Sequence, residues 1–215
     1  VTIEVNCTKG VSFFLVGLPD VAVRESHERI ISALQVNGYK FPGNRVVVNK
    51  APADIRKEGS AYDLPVAVAI LAAAGQVDSS RLDKYLMMGE LSLDGSLMPV
   101  KGVLPIAIKA REEGFKGFIL PRQNAREAAV VNNLEVFGVD NIKEVIEFVD
   151  GKRTLDPTEV NTREEFYAKQ EAFLEVLKYI DFAFIDVKNM DREKHKQGTG
   201  VYNDLILSNI EALKK

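Results

Sequence analysis

Hydrophobic and polar positions recur along this chain at two different periods, and the switches between them mark its elements. Residues 1–5 read Val-Thr-Ile-Glu-Val and residues 12–16 Ser-Phe-Phe-Leu-Val, two strand-like runs on either side of Thr8-Lys9-Gly10, a hairpin-type turn signal. Gly17-Leu-Pro-Asp20 breaks the second run and leaves Asp20 as an N-cap. Over 21–36 the period lengthens. Val23, Ile30, Ile31 and Leu34 share one face with Arg24, Glu25, Glu28 and Arg29 opposite, which predicts an amphipathic helix closed by Asn37-Gly38. A β-branched run at 45–49 predicts a strand. A charged loop marked by Pro52 and Gly59 follows, and then Asp63, placed to cap an apolar helix over 64–74.

The second half repeats the alternation. A short apolar run opening at Tyr85 leads to Asp94-Gly95, a hairpin signal between two brief strands. A helix over 102–113 ended by Gly114, a strand over 117–120, a helix over 124–131 capped by Asn124, a strand over 134–139 and a helix over 142–149 complete the pattern. Together these predict an α+β domain over 1–150 with a mixed sheet, because its first half is rich in hairpins. Residues 151–162 are polar, carry Pro157 and have no periodic apolar face, so they read as a linker. Residues 163–215 predict a helix over 163–178, a strand over 180–187, a polar loop over 189–200 and a helix over 203–213. This short α/β tail is too small to bury a core of its own and is not expected to be an independent domain.

Composition narrows the function classes. The chain has 215 residues, 46% apolar and 27% charged, with a net charge of -3. That balance gives no global reason to bind nucleic acid, so any such contact needs a local basic face. The single Cys7 excludes an internal disulfide, a cysteine zinc site and an iron–sulfur cluster built from this chain alone, and it fits a reducing cytoplasm. No apolar run reaches the roughly 18–20 residues of a membrane span, and there is no signal-peptide pattern. The expected location is cytoplasmic, away from any membrane. The chain opens in a strand without a Met, which suggests a further strand upstream.

Candidate chemistry gathers between Arg45 and Pro65, where a strand, a charged loop and the start of an apolar helix meet. Backbone N–H groups at a helix start, with Lys50, Arg56 and Lys57, could attract an anion or nucleic-acid phosphate. The competing reading is solvated surface charge offset by Asp54 and Glu58. His27 is expected on the charged side of its helix, His195 exposed in a polar loop, and Cys7 as a small packing residue. Gly151-Lys152 has Ile146 where a phosphate loop needs its leading glycine, so the chain is not expected to hydrolyse ATP.

Several blocks resemble one family: Gly17-Leu-Pro-Asp with Val23-Arg-Glu-Ser-His-Glu-Arg, Asn49-Lys-Ala-Pro-Ala-Asp-Ile-Arg-Lys-Glu-Gly, Gly89-Glu-Leu-Ser-Leu-Asp-Gly, Pro99-Val-Lys-Gly-Val-Leu-Pro and Leu120-Pro-Arg-Gln-Asn-Ala-Arg-Glu-Ala. They resemble the N-terminal, ChlI-type domain of the ComM/YifB magnesium-chelatase-like AAA+ ATPases. The resemblance implies the fold shared with the Lon protease domain and ribosomal protein S5 domain 2. It also implies a parent whose ATPase domain, with ATP and magnesium, assembles as a hexamer and moves DNA strands in recombination during natural transformation. In this chain the resemblance implies no cofactor and no catalytic residue. Its partners would be the ATPase domain, further copies of itself and DNA.

Lon-type proteases use a Ser before the core helix and a Lys in the later helix, a pairing in which the amine activates the hydroxyl. Aligning glycine to glycine puts Ala61 at the first position and Ile106 at the second, and neither can do that work. Ser60 and Lys101 lie nearby, so a divergent peptidase using Ser60 is one alternative, and a stand-alone DNA-binding module is another. The tail departs from the family. Asp186-Val-Lys188, His195 and Thr199-Gly-Val-Tyr-Asn-Asp resemble an internal piece of the radical-SAM activating enzymes of glycyl-radical enzymes, without the three-cysteine cluster motif. The chain therefore reads as composite, joined near residues 168–171.

Overall fold

The computed structural model describes residues 1–17, 21–52, 59–160, 190–199 and 202–212. The chain divides into two compact units, Val1–Glu159 and Val160–Lys215. The first unit opens with β1 (Thr2–Thr8), β2 (Ser12–Val16), α1 (Val21–Val36) and β3 (Arg45–Ala51). The turn at Lys9-Gly10 does not join its strands as a hairpin. β3 lies between them, antiparallel to β1 with Val5 opposite Val48 and parallel to β2 with Leu15 opposite Val48. The reason lies in the β2–α1–β3 segment, where a helix long enough to cross the sheet lets β3 return parallel to β2. β3 alternates strictly, with Val46, Val48 and Lys50 turned to the core. Gly17, at φ +98, ends β2 against the backbone of Lys50, and a Cβ there would collide with the Lys50 carbonyl oxygen.

α2 (Asp63–Ala73) is apolar on nearly every side and buries Leu64, Val66, Ala67, Val68, Ile70 and Leu71. A 3₁₀ turn, Leu82–Lys84, leads into β4 (Tyr85–Met87). β5 (Glu90–Leu91) and β6 (Leu97–Met98) form the hairpin that Asp94-Gly95 foretold, with Gly95 at φ +85. α3 (Val103–Glu112), β7 (Gly117–Pro121), α4 (Arg122–Ala129), β8 (Glu135–Val139) and α5 (Ile142–Val149) follow. β4, β7 and β8 make a parallel three-stranded sheet in the order β4-β7-β8. The expected mixed sheet is thus three small sheets among the described residues, one mixed, one parallel and one a two-stranded hairpin.

Two apolar clusters hold this unit. One joins α1, β3, α2 and α5 through residues such as Ile30, Val48, Leu64, Ile70 and Ile146, and the other lies among α3, β7 and α4 around Ala107, Phe118 and Ala125. Residues 151–160 carry no regular element, yet Leu155 packs against the first cluster and the Thr158 N–H donates to the Val136 carbonyl at 2.7 Å. As far as Glu159, the expected linker belongs to the first unit.

Two expected caps are not caps. Tyr62 precedes α2 and Pro121 precedes α4, each without a side-chain cap bond. The Asn124 side chain turns inward and brackets Val100, accepting from its N–H and donating to its carbonyl, both at 2.9 Å. His27 lies 3.3 Å from the Glu28 carboxylate, as an ion-paired His on the charged side would, and also stacks on Phe13, centroids 4.1 Å apart, with Phe41 edge-on at 5.6 Å.

In the second unit, α6 (Arg192–Thr199) replaces the predicted polar loop, and His195 is buried on it. α7 (Asp204–Ala212) follows, and Arg192 pairs with Asp204 while lying 3.7 Å over the Tyr202 ring. The predicted helix over 163–178 and strand over 180–187 lie outside the described residues.

Candidate functional site

The junction of β3 and α2 gathers polar side chains that the sequence scatters. Alternation along β3 sends Lys50 inward, where it is 2% exposed with its ammonium 4.6 Å from the Tyr62 ring centroid. Lys50 is therefore not the surface cation expected of it. Arg56 and Lys57, with Asp54 and Glu58, lie outside the described residues. The phase of Lys50 with Val46 and Val48 is the signal that places it, and it is legible in the sequence.

Just before α2, Ser60 donates its hydroxyl to the Glu90 carboxylate. Asp63, 1% exposed, accepts from Arg29 of α1 twice, Nε at 2.8 Å and Nη2 at 3.3 Å, and more weakly from the Leu91 N–H at 3.4 Å. Burial pushes the Asp63 carboxyl above its usual range although Arg29 pulls the other way, and the same bond raises the Arg29 guanidinium. Backbone bonds close the arrangement. Gly89 N–H donates to the Ala61 carbonyl at 2.9 Å and Leu64 N–H to the Gly89 carbonyl at 3.0 Å. Arg29 of α1 and the adjacent Glu90 and Leu91 of β5 thus fix the start of α2 from two separate parts of the chain. Sequence reasoning missed Arg29 and Glu90 because no local spacing links them to Asp63 and Ser60, residues 34 and 30 positions away.

This arrangement ties the loop before α2 to β5 and α1. Ala61 has no side-chain nucleophile, and Ile106 lies half-buried on α3 against the second apolar cluster. Tyr62 and Ile106 line a common cleft of about 540 Å³ whose other walls include Pro65, Met88 and Phe115. Lys101 is exposed ahead of α3. The Ser60 hydroxyl, next to Ala61, faces the Glu90 carboxylate. No group of three or more His, Cys, Asp or Glu side chains with the spacing to hold a metal occurs among the described residues, and no described helix is long and apolar enough to cross a membrane.

Comparison with known proteins adds family relationships to this geometry. The family model described as subunit ChlI of Mg-chelatase matches residues 3–124. Competence protein ComM of Haemophilus influenzae is 42% identical over 156 residues, 72% of this chain and 30% of that protein. YifB of Escherichia coli is 38% identical over 167 residues, 76% of this chain and 33% of that protein. The chain therefore spans about a third of the length of these curated relatives. A C-terminal fragment matches a different, radical-SAM protein, the 4-hydroxyphenylacetate decarboxylase activating enzyme of Clostridium scatologenes, at 98% identity over 49 residues, 23% of this chain and 16% of that enzyme.

Proposed function

The chain belongs to the ChlI family of Mg-chelatase subunits, and we propose that its first unit is a non-catalytic accessory domain of a ComM-type AAA+ motor. In this reading it has the Lon protease and ribosomal protein S5 type of fold, here without the protease chemistry. It helps the motor's subunits assemble as a hexameric ring and contacts the DNA whose branches the motor moves. ATP and magnesium belong to the motor's ATPase domain. The C-terminal fragment brings an Asp-Val-Lys segment but no cluster cysteines, so it has no part in radical chemistry.

One observation carries the non-catalytic reading. In the glycine-to-glycine alignment that the Lon resemblance implies, Ala61 and Ile106 fall where the protease hydroxyl and amine would be, and the neighbouring Ser60 hydroxyl is engaged by Glu90. A serine nucleophile needs a base that accepts its proton and later returns it to the leaving group. In this reading the Glu90 carboxylate ties the Ser60 loop to β5 rather than serving as that base, and the Lys50 ammonium rests on the Tyr62 ring.

A fluorophosphonate probe tests this directly. The full chain is expected to remain unlabelled, and Ser60→Ala to behave the same. Labelling of the wild type that disappears in Ser60→Ala would show an activated hydroxyl and overturn the assignment in favour of a divergent serine peptidase.

A further inference from the structure

The outward side of the first sheet carries chemistry that the junction of β3 and α2 does not use. Strand register puts Phe14 of β2 and Asn6 of β1 on either side of Val47, with Arg45 one outward row away towards the Lys9 turn. The neighbouring inward positions, Phe13, Leu15, Val46 and Val48, all go to the core. Phe14 nonetheless keeps 47% of its surface in solvent. The Arg45 guanidinium lies over its ring at 5.0 Å from the centroid. Lys9 is exposed just past the same end of the sheet. The carboxylate on this face, Glu4, accepts a hydrogen bond from Asn49 at 2.7 Å.

We infer that this face is a stacking platform for single-stranded nucleic acid, with a base on the open side of Phe14 and phosphates met by Arg45 and Lys9. An exposed aromatic ring beside a guanidinium on a sheet suits an unstacked base followed by its phosphate. The charge is complementary where it has to be. The chain as a whole is acidic, at -3, yet cations stand at the Phe14 end of this face and its carboxylate is engaged by an amide. A strand of seven residues spans roughly 20 Å, room for a few nucleotides. Duplex DNA fits poorly because its bases are stacked inward. The inference deepens the DNA-contact part of the proposed function and rests on it.

Fluorescence anisotropy of a labelled oligodeoxythymidine with the full chain, at low and at physiological salt, tests the platform. Wild type is expected to bind in a salt-sensitive way. Phe14→Ala should weaken binding about tenfold or more, and Phe14→Tyr should restore it. Arg45→Ala should weaken binding and flatten the salt dependence by about one phosphate contact. The chain has no Trp, so Phe14→Trp supplies a single reporter whose emission the oligonucleotide should quench saturably. This reading decides the matter even if Phe14→Ala fails to fold. Wild-type binding that Phe14→Ala and Arg45→Ala leave unchanged, without quenching in Phe14→Trp, would overturn the platform and leave DNA contact elsewhere on the domain standing. No binding at low salt would remove both readings. Self-association that Phe14→Ala abolishes, without DNA binding, would assign the face to a second copy of the chain and overturn the platform.

Discussion

Asp63 is a carboxylate almost sealed from water, and its proton equilibrium records the balance around it. Burial raises its pKa, and the Arg29 and Leu91 hydrogen bonds recover only part of that rise. A carboxyl whose folded pKa stands above its ordinary 3.8 holds its proton more tightly in the folded state. Its contribution to stability is then complete below 3.8 and fades as pH rises through the folded value. Wild type should therefore gain stability relative to Asp63→Asn as pH falls from neutral towards 4, measured by urea unfolding at each pH. A gap that closes on acidification would mean that the Arg29 bond outweighs burial. Lys50 was legible in sequence through its phase with Val46 and Val48. The Arg29–Asp63 pair was not, because it joins two helices that only the fold brings together.

At the scale of elements, α5 and α4 show why some boundaries can be read and others cannot. α5 has an apolar stripe at Ile142, Val145, Ile146 and Val149, and a reciprocal cap. Asn141 accepts from the Lys143 N–H at 2.9 Å, and Glu144 accepts from the Asn141 N–H at 3.2 Å. Local pattern and local bonds agree, so the predicted bounds of 142–149 hold. Asn141→Ala should cost about 1 kcal/mol, read as a lowered midpoint in chemical denaturation. α4 begins two residues before its predicted start, because Asn124 serves Val100 across the fold instead of capping its own helix. A capping Asn and a bridging Asn are indistinguishable without the partner. α6 was invisible for another reason. Its sequence is polar throughout, and among its residues with a described side chain His195 alone is buried.

At the scale of the molecule, both apolar clusters found among the described residues belong to Val1–Glu159. A chain ending at Glu159 should accordingly keep its cooperative thermal transition within a few degrees of the full chain by calorimetry. Loss of that transition would show that the fragment related to the activating enzyme supports the ChlI unit. The composite character was legible because two unrelated motif sets stand in one sequence. The order of the first sheet was not, since a turn between two strand patterns gives no warning that a third strand will come between them.

That strand order has a consequence for synthesis on the ribosome. β1 and β2 emerge before β3, and within this sheet each finds its hydrogen-bonding partner only when β3 follows α1 out of the exit tunnel. Throughout that interval the nascent chain presents one alternating and one largely apolar strand segment, neither paired with β3, the form that ribosome-associated holdases bind.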